Sequence, residues 1–391
     1  MDVGAVRRDT PGCGEVNHLN NAGSSLPPQV VVDTVVSYLE EEATVGGYEL
    51  ADRRAEDLAA VYRSVAGVIG ANEDEIALLD SATSAWDMAF YSMRFTEGDR
   101  ILTTTTEYAA NFIAYLQVAR RTGARIEVVP DSPSGEMDVD ALEAMVDERV
   151  KLISINHVPT NGGVVNPAAA VGDVAKRAGV PFLLDACQSV GQMPIDVDEI
   201  GCDMLSATSR KFLRGPRGVG FLYVRDTMIE SLDPISLDLH AATWVAPDRY
   251  DIRRDAKRFE RWESSPALRL GLAAACDYAA DLGLQSAWER LSALAAELRA
   301  GLTAVPGVTV HDKGRIRGGI VTFSVAGLTA PQVKAALAER RINVSTSTVA
   351  STRIDMEQRG LEEIVRASAH YFNTHDEIDA AVETVARLSP P

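Results

Sequence analysis

Lys211 stands in the stretch SATSRKFLRGPRGVGFLYV, behind Ala207, Thr208 and Ser209 and ahead of a Gly/Pro-rich run. A primary amine among small residues can approach a carbonyl carbon closely and condense with it. Asp185 closes the apolar run FLLD, where a carboxylate can pair with a cationic ring nitrogen, and Gln188 follows one helical turn later. Tyr108, after ILTTTTE, offers a ring that can stack, and Asn161 follows LISINHVPT. Taken singly each has a plainer reading: a solvated lysine, a helix cap at Asp185, a half-buried core aromatic. Together they supply an amine nucleophile, a carboxylate and a stacking ring, each just past an apolar run.

The elements that must position them alternate. From about residue 55 to 225, the apolar runs DRILTTTT, ARIEVVP, VKLISINHV, VPFLLDA and VGFLYVR are separated by amphipathic stretches such as VDALEAMVDE and PAAAVGDVAKRAG. The last has Pro167 near its first turn and Gly179 at its end, as helices prefer. Near-continuous apolar strands between helices predict an α/β fold with a mostly parallel sheet covered on both faces. In such sheets ligands sit beyond the carboxyl ends of the strands, where these candidates fall. Residues 230–266 read as irregular, and a long helical stretch then leads to a smaller α+β segment containing VTVHD, GIVTFSV and APQVKAALAERR. The expected division is a large α/β domain over 16–265 and a small α+β domain over 266–391 that includes the segment 1–15.

A Schiff-base amine, a carboxylate for a pyridinium nitrogen and a stacking ring are what pyridoxal 5'-phosphate (PLP) requires. Its phosphate needs hydroxyls, amides at a helix start and a cation. Thr208, Arg210 and the segment DSATSAWDMAFYSM, with Ala82, Thr83 and Ser84 opening a helix, can supply these.

The stretch DMLSATSRKFLRGPRGVGFL, with Asp203, the Arg210–Lys211 pair and Gly218-x-Gly220, resembles the signature of the class V aminotransferases among fold type I PLP enzymes. The resemblance runs from HLNNAGSSLPP to VRASAHYFNTHDEIDAAV. Within the family the chain is similar to cysteine desulfurases, isopenicillin N epimerase-like proteins and carbon–sulfur lyases. The resemblance implies that Lys211 carries the cofactor and is the catalytic group. It sets Asp185 at the ring nitrogen, Gln188 at the phenolic oxygen, Tyr108 over the ring, and Thr83, Thr208 and Arg210 at the phosphate. Asn161 is expected at the cofactor as well. In RFERWESSPA, Ser264 falls beside the position from which relatives reach the neighbouring subunit's phosphate. Arg366 matches the arginine that grips the substrate α-carboxylate, and Asn21, Ala22 and Gly23 match a segment facing the substrate. A homodimer with active sites at its interface is implied too.

Composition narrows the partners. The formal net charge is −18, so the concentration of Arg210, Lys211, Arg214 and Arg217 is local, and nucleic acid and anionic membranes are not expected partners. No apolar run approaches the roughly 18 residues of a membrane span, and the start lacks the apolar centre of a secretion signal, which predicts a cytoplasmic protein. Cys13, Cys187, Cys202 and Cys276 form no CxxC pair, and no metal site is expected.

The cofactor permits many reactions, and the protein selects among them by placing acids and bases. The resemblance implies that desulfurases attack sulfur with a cysteine on the loop before the carboxylate-binding arginine. Here that loop, VSTSTVASTRIDMEQRGLEEIV, has no cysteine. The expectation is a carbon–sulfur lyase performing β-elimination on a cysteine S-conjugate in small-molecule sulfur metabolism, and not a persulfide-forming cysteine desulfurase. Aminotransferase, epimerase and decarboxylation-coupled oxidative deamination stay open as alternatives. Substrate choice is expected to rest on Tyr48, Trp86, Arg353 and the 240–262 segment.

Overall fold

The computed structural model describes residues 1–388. Its larger sheet has seven strands: β1 (Ile76–Leu79), β2 (Arg100–Thr104), β3 (Arg125–Val129), β4 (Val150–Asn156), β5 (Phe182–Asp185), β6 (Met204–Thr208) and β7 (Gly220–Val224). The order across the sheet is β1-β7-β6-β5-β4-β2-β3. Strands β2 to β6 pair in parallel, while β7 alone runs the other way, antiparallel to β6 on one side and to the edge strand β1 on the other. Every residue of β5, β6 and β7 is buried, as an apolar strand covered by helices on both faces must be. The fold is therefore the α/β architecture that the alternating runs predict.

Register sets the site. Asn156 pairs with Asp185, Asp185 with Ser206, and Thr208 with Gly220, so β4 and β5 end level and β6 runs two residues past them. Two helices start beside that edge. Helix α1 (Ala82–Tyr91) follows β1 and is capped by Ser81, whose hydroxyl accepts from Ser84 N. Helix α2 (Ala109–Thr122) follows β2, with Tyr108 at its N-cap and Gly123 closing it at φ 81°. Gly220 lets β7 pass close beneath the start of α1: a Cβ there would lie 2.8 Å from Ala82 N and 2.7 Å from Ala207 O.

The expected long helical stretch is two helices, α3 (Pro266–Leu282) and α4 (Leu284–Thr303), broken at Gly283, whose φ of 78° suits glycine. The second sheet is antiparallel. It contains β10 (Val308–Val310), β11 (Ile320–Val325), β12 (Ser345–Thr348) and β13 (Glu363–Ser368), in the order β10-β11-β13-β12. Residues 230–266, read as irregular, hold a hairpin of β8 (Ala242–Ala246) and β9 (Arg249–Ile252). Its exposed faces do not show the burial alternation by which strands are recognised in sequence.

The two sheets have separate cores. Ala267, Leu270, Leu272 and Ala275 of α3 pack with the large sheet, although the boundary expected near 266 assigns α3 to the small domain. Conversely, Leu19 packs among Leu294, Val321 and Val365 of the small core, and Asn17–His18 pairs in parallel with Ile342–Asn343. The N-terminal segment thus joins the small sheet to the strand ends of the large one.

Candidate active site

One cavity lies at the carboxyl ends of β4, β5 and β6. Lys211 lies three residues past β6 and is half-buried on its wall. Burial lowers its pKa; Cys187 and Asp185 oppose that shift, and the charges of Arg210 and Arg366 add to it. Asp185 ends β5 with both carboxylate oxygens held: Oδ1 accepts from Cys187 N at 2.9 Å and Oδ2 from Asn111 Nδ2 at 3.1 Å. Gln188 Nε2 donates to Ala22 O at 3.2 Å, while its buried Oε1 has no partner among the described residues. Tyr108 stands at the rim, 41% exposed.

At the other end the cavity meets the N-terminus of α1. The Ser81 cap leaves the amides of Ala82 and Thr83 outside the helical ladder, beside Thr208 and Arg210. Arg210 donates through Nη1 to Gly23 O, and burial lowers its pKa. Ser84 turns away: its hydroxyl lies 3.1 Å from that of Ser81 and faces an adjoining cleft that also holds Glu263 and Ser264. Asp80, Gly218 and Val219 line both the cavity and this cleft.

Arg366 reaches the same region from β13. It is 8% exposed, Nη1 donates to Thr160 Oγ1 at 2.5 Å, and Nε has no partner among the described residues. Among the described residues no carboxylate pairs with it, so the neighbouring acidic run LEEIV leaves its charge free. The segment before it in space is braced by backbone contacts: Asn21 Nδ2 donates to Ser368 O at 2.7 Å, and Ala22 N to Ser368 Oγ at 2.9 Å. Ala22 and Gly23 therefore present carbonyls to Gln188 and Arg210, while the Asn21 side chain is fully buried behind them.

Some expected positions lie elsewhere. Asn161 does not line the cavity. Its Nδ2 donates to Thr352 Oγ1 at 2.8 Å and lies 3.0 Å from Met356 Sδ, so the turn brings Thr160 to the cavity instead. Trp86 lines the wall, whereas Tyr48 is 74% exposed and Arg353 pairs with Glu357 on the surface. Sequence reading also missed Glu107, Asn111 and Asn156. The spacing of four between Glu107 and Asn111, at a helix start, was the available signal. Arg214, unassigned by sequence, is a buried structural residue, and Arg217 is exposed.

These residues fit PLP. Lys211 offers an amine, Asp185 a carboxylate on the cavity wall, and Gln188 a buried amide oxygen with no partner among the described residues. A helix start beside a guanidinium suits a phosphate.

The aminotransferase class-V family model matches residues 17–381. A Synechocystis sp. protein named "Probable cysteine desulfurase" is 30% identical over 97% of this chain and 94% of its own length. The apo structure of a cysteine desulfurase from Thermococcus onnurineus NA1 superposes with a TM-score of 0.92 at 26% identity, covering 98% of this chain and 97% of that one. A C-DES mutant with glycine covalently linked to its PLP cofactor has the same fold, at 22% identity and TM-score 0.88, covering 97% of this chain and 98% of that one. These findings correct the expectation that the chain is not a persulfide-forming cysteine desulfurase, because relatives matched along nearly their whole length bear that name. The exclusion rested on one cysteine-free loop, and a missing side chain in one loop does not describe a whole cavity. A thiol does line the cavity: Cys187, whose pKa burial and then Asp185 push up.

Proposed function

The chain belongs to the class-V aminotransferase family, and from that membership we propose that it cleaves the carbon–sulfur bond of cysteine or of an S-substituted cysteine. Its cofactor is pyridoxal 5'-phosphate, which when bound supplies an electron sink for charge developing at the substrate Cα. The observation that carries the amino-acid reading is Arg366, a buried guanidinium with no carboxylate partner among the described residues. Paired N–H donors in such a place match a substrate α-carboxylate. The names of the relatives support sulfur as the leaving atom.

In this reading Asp185 would hold a proton on the ring nitrogen. The amides of Ala82 and Thr83, with Thr208 and Arg210, would hold the phosphate, and Gln188 would meet the phenolic oxygen. Tyr108 would shield the ring from water. Lys211 would hold the cofactor and could move the proton at the substrate Cα. Its lowered pKa supports that role, since only the neutral amine can accept a proton. Asn21, Ala22 and Gly23 brace the substrate side, and Ser264 serves a partner subunit's site.

The test mixes holoenzyme with L-cysteine and with S-alkylcysteines, with and without 2-oxoglutarate. Sulfide or thiol released without the keto acid supports cleavage of the carbon–sulfur bond. Turnover that requires the keto acid establishes transamination and sinks the proposal.

A cytoplasmic homodimer belongs to the same reading. No helix among the described residues is long and apolar enough to cross a membrane. Trp244 and Tyr250, paired across the β8–β9 hairpin, are 78% and 57% exposed, which supports a surface that another copy covers. Light scattering at micromolar concentration that returns a monomer mass would reject the dimer.

A further inference from the structure

Behind Asp185 lies a second buried carboxylate. Glu107, in the turn between β2 and α2, is 3% exposed. Its Oε1 accepts from Tyr108 N at 2.8 Å and Asn111 Nδ2 at 2.9 Å; its Oε2 accepts from Thr103 Oγ1 at 3.0 Å and Tyr115 OH at 3.2 Å. All four donors are neutral. The same Asn111 nitrogen donates to Asp185 Oδ2 at 3.1 Å. One NH₂ group is thus flanked by two carboxylates. That fixes the amide, because turning it over would set its carbonyl oxygen against both.

We propose that Glu107 and Asn111 are positioning residues for Asp185: Glu107 orients the Asn111 amide and places a second negative charge behind the carboxylate that faces the cofactor ring nitrogen. The inference rests on Asp185 as the ring-nitrogen partner. In a poorly solvated interior each nearby carboxylate favours a cationic pyridinium.

Burial, and next the charge of Asp185, push the Glu107 carboxyl up to about 7. The other titratable groups around it are Tyr115 of α2, whose oxygen also lies 2.7 Å from the Ser154 hydroxyl of β4 and can accept from it, and Lys211 beyond Asp185. Burial raises Tyr115 well above its ordinary range, so it stays a neutral donor. The second charge is therefore present above about pH 7 and lost below it. A bound pyridinium, favouring the ionised form, moves that loss to lower pH.

The experiment measures the cofactor dissociation constant of the holoenzyme against pH for the wild type, Glu107→Gln, Asn111→Ala and Asp185→Asn. Glutamine is isosteric, and the Thr103 and Tyr115 hydroxyls can turn to accept from it. If Glu107→Gln fails to fold, Asn111→Ala decides the positioning role. At about pH 8 both variants are expected to bind PLP about tenfold more weakly, equivalent to about one pKa unit of lost interaction. The ratio between Glu107→Gln and wild type should shrink toward one as Glu107 protonates. A ratio unchanged by pH, or unweakened binding in both variants, overturns the proposal. Weakening by Asp185→Asn alone overturns it and leaves the assignment of Asp185 standing. An Asp185→Asn variant that binds and absorbs like wild type overturns that assignment and this inference with it.

Discussion

Arg366 on β13 of the small sheet donates to Thr160 Oγ1 at 2.5 Å, in the loop after β4 of the large sheet. The same Nη1 also donates to Thr160 O at 3.4 Å, so one residue of that loop ties a guanidinium from one core to the strand ends of the other. Burial pushes the pKa of Arg366 down to about 10, as expected for a desolvated charge that has no counter-ion among the described residues. An anion entering the cavity relieves that cost.

Arg366→Ala should raise KM for the amino-acid substrate by about two orders of magnitude, from the roughly 2–5 kcal/mol lost when a buried, hydrogen-bonded charge pair is broken. Thr160→Val, which only loosens the guanidinium, should raise KM several-fold. Steady-state kinetics check both, and an unchanged KM in Arg366→Ala removes it from the carboxylate site.

Gly220→Ala should weaken PLP binding by about tenfold, the loss of one net charge-assisted hydrogen bond or less. The added Cβ would lie 2.8 Å from Ala82 N and 2.7 Å from Ala207 O, so the start of α1 must move. Fluorescence titration of the cofactor measures the change. Affinity equal to wild type means that α1 does not hold the phosphate.

Arg214 should matter to stability rather than to chemistry. It is 1% exposed at φ 66°, and it donates to Leu26 O at 2.9 Å, Tyr371 OH at 3.0 Å and Thr10 Oγ1 at 2.5 Å. Its guanidinium also lies 4.8 Å from the Phe372 ring centroid. Arg214→Leu should destabilise the chain by about 2–4 kcal/mol, leaving buried acceptors and a hydroxyl unpaired. Thermal melts of wild type and variant, compared at equal cofactor occupancy, provide the check.

His157 makes stability depend on pH. Burial holds its pKa down at about 4 in the folded chain, against 6.5 for an exposed histidine. Between these values the unfolded chain binds more protons, so stability falls as pH drops from about 6.5 and the contribution levels off below about 4. The loss reaches about 2 kcal/mol by about pH 5. His370 is pushed in the same direction by burial and adds to the slope. Urea midpoints should fall less between pH 7 and 5 in His157→Asn than in wild type; equal slopes would mean His157 titrates normally.

Much of the site was legible because its residues are local to strand ends. Asp185 closes an apolar run, Lys211 follows β6, and Ser81 opens α1 after β1; each relation is carried by a few neighbouring residues. Asn161 illustrates the limit: one residue of turn geometry sends it to Thr352 and brings Thr160 to the cavity. The reaction class likewise could not be excluded from one loop, because the groups around the reacting atoms come from several elements.

The sequence by itself determined the alternation of strands and helices, the parallel sheet, and the strand ends at which chemistry is found. Hydrophobic periodicity records which face of each element is buried, and that suffices to order a sheet's edge. Only the tertiary structure decided that Arg366 stands without a carboxylate among the described residues, that Arg214 is a buried brace, and that Glu107 reaches Asp185 through Asn111. Those facts depend on register and on which side chains meet across packed elements, contacts between residues far apart in the chain that no local pattern encodes.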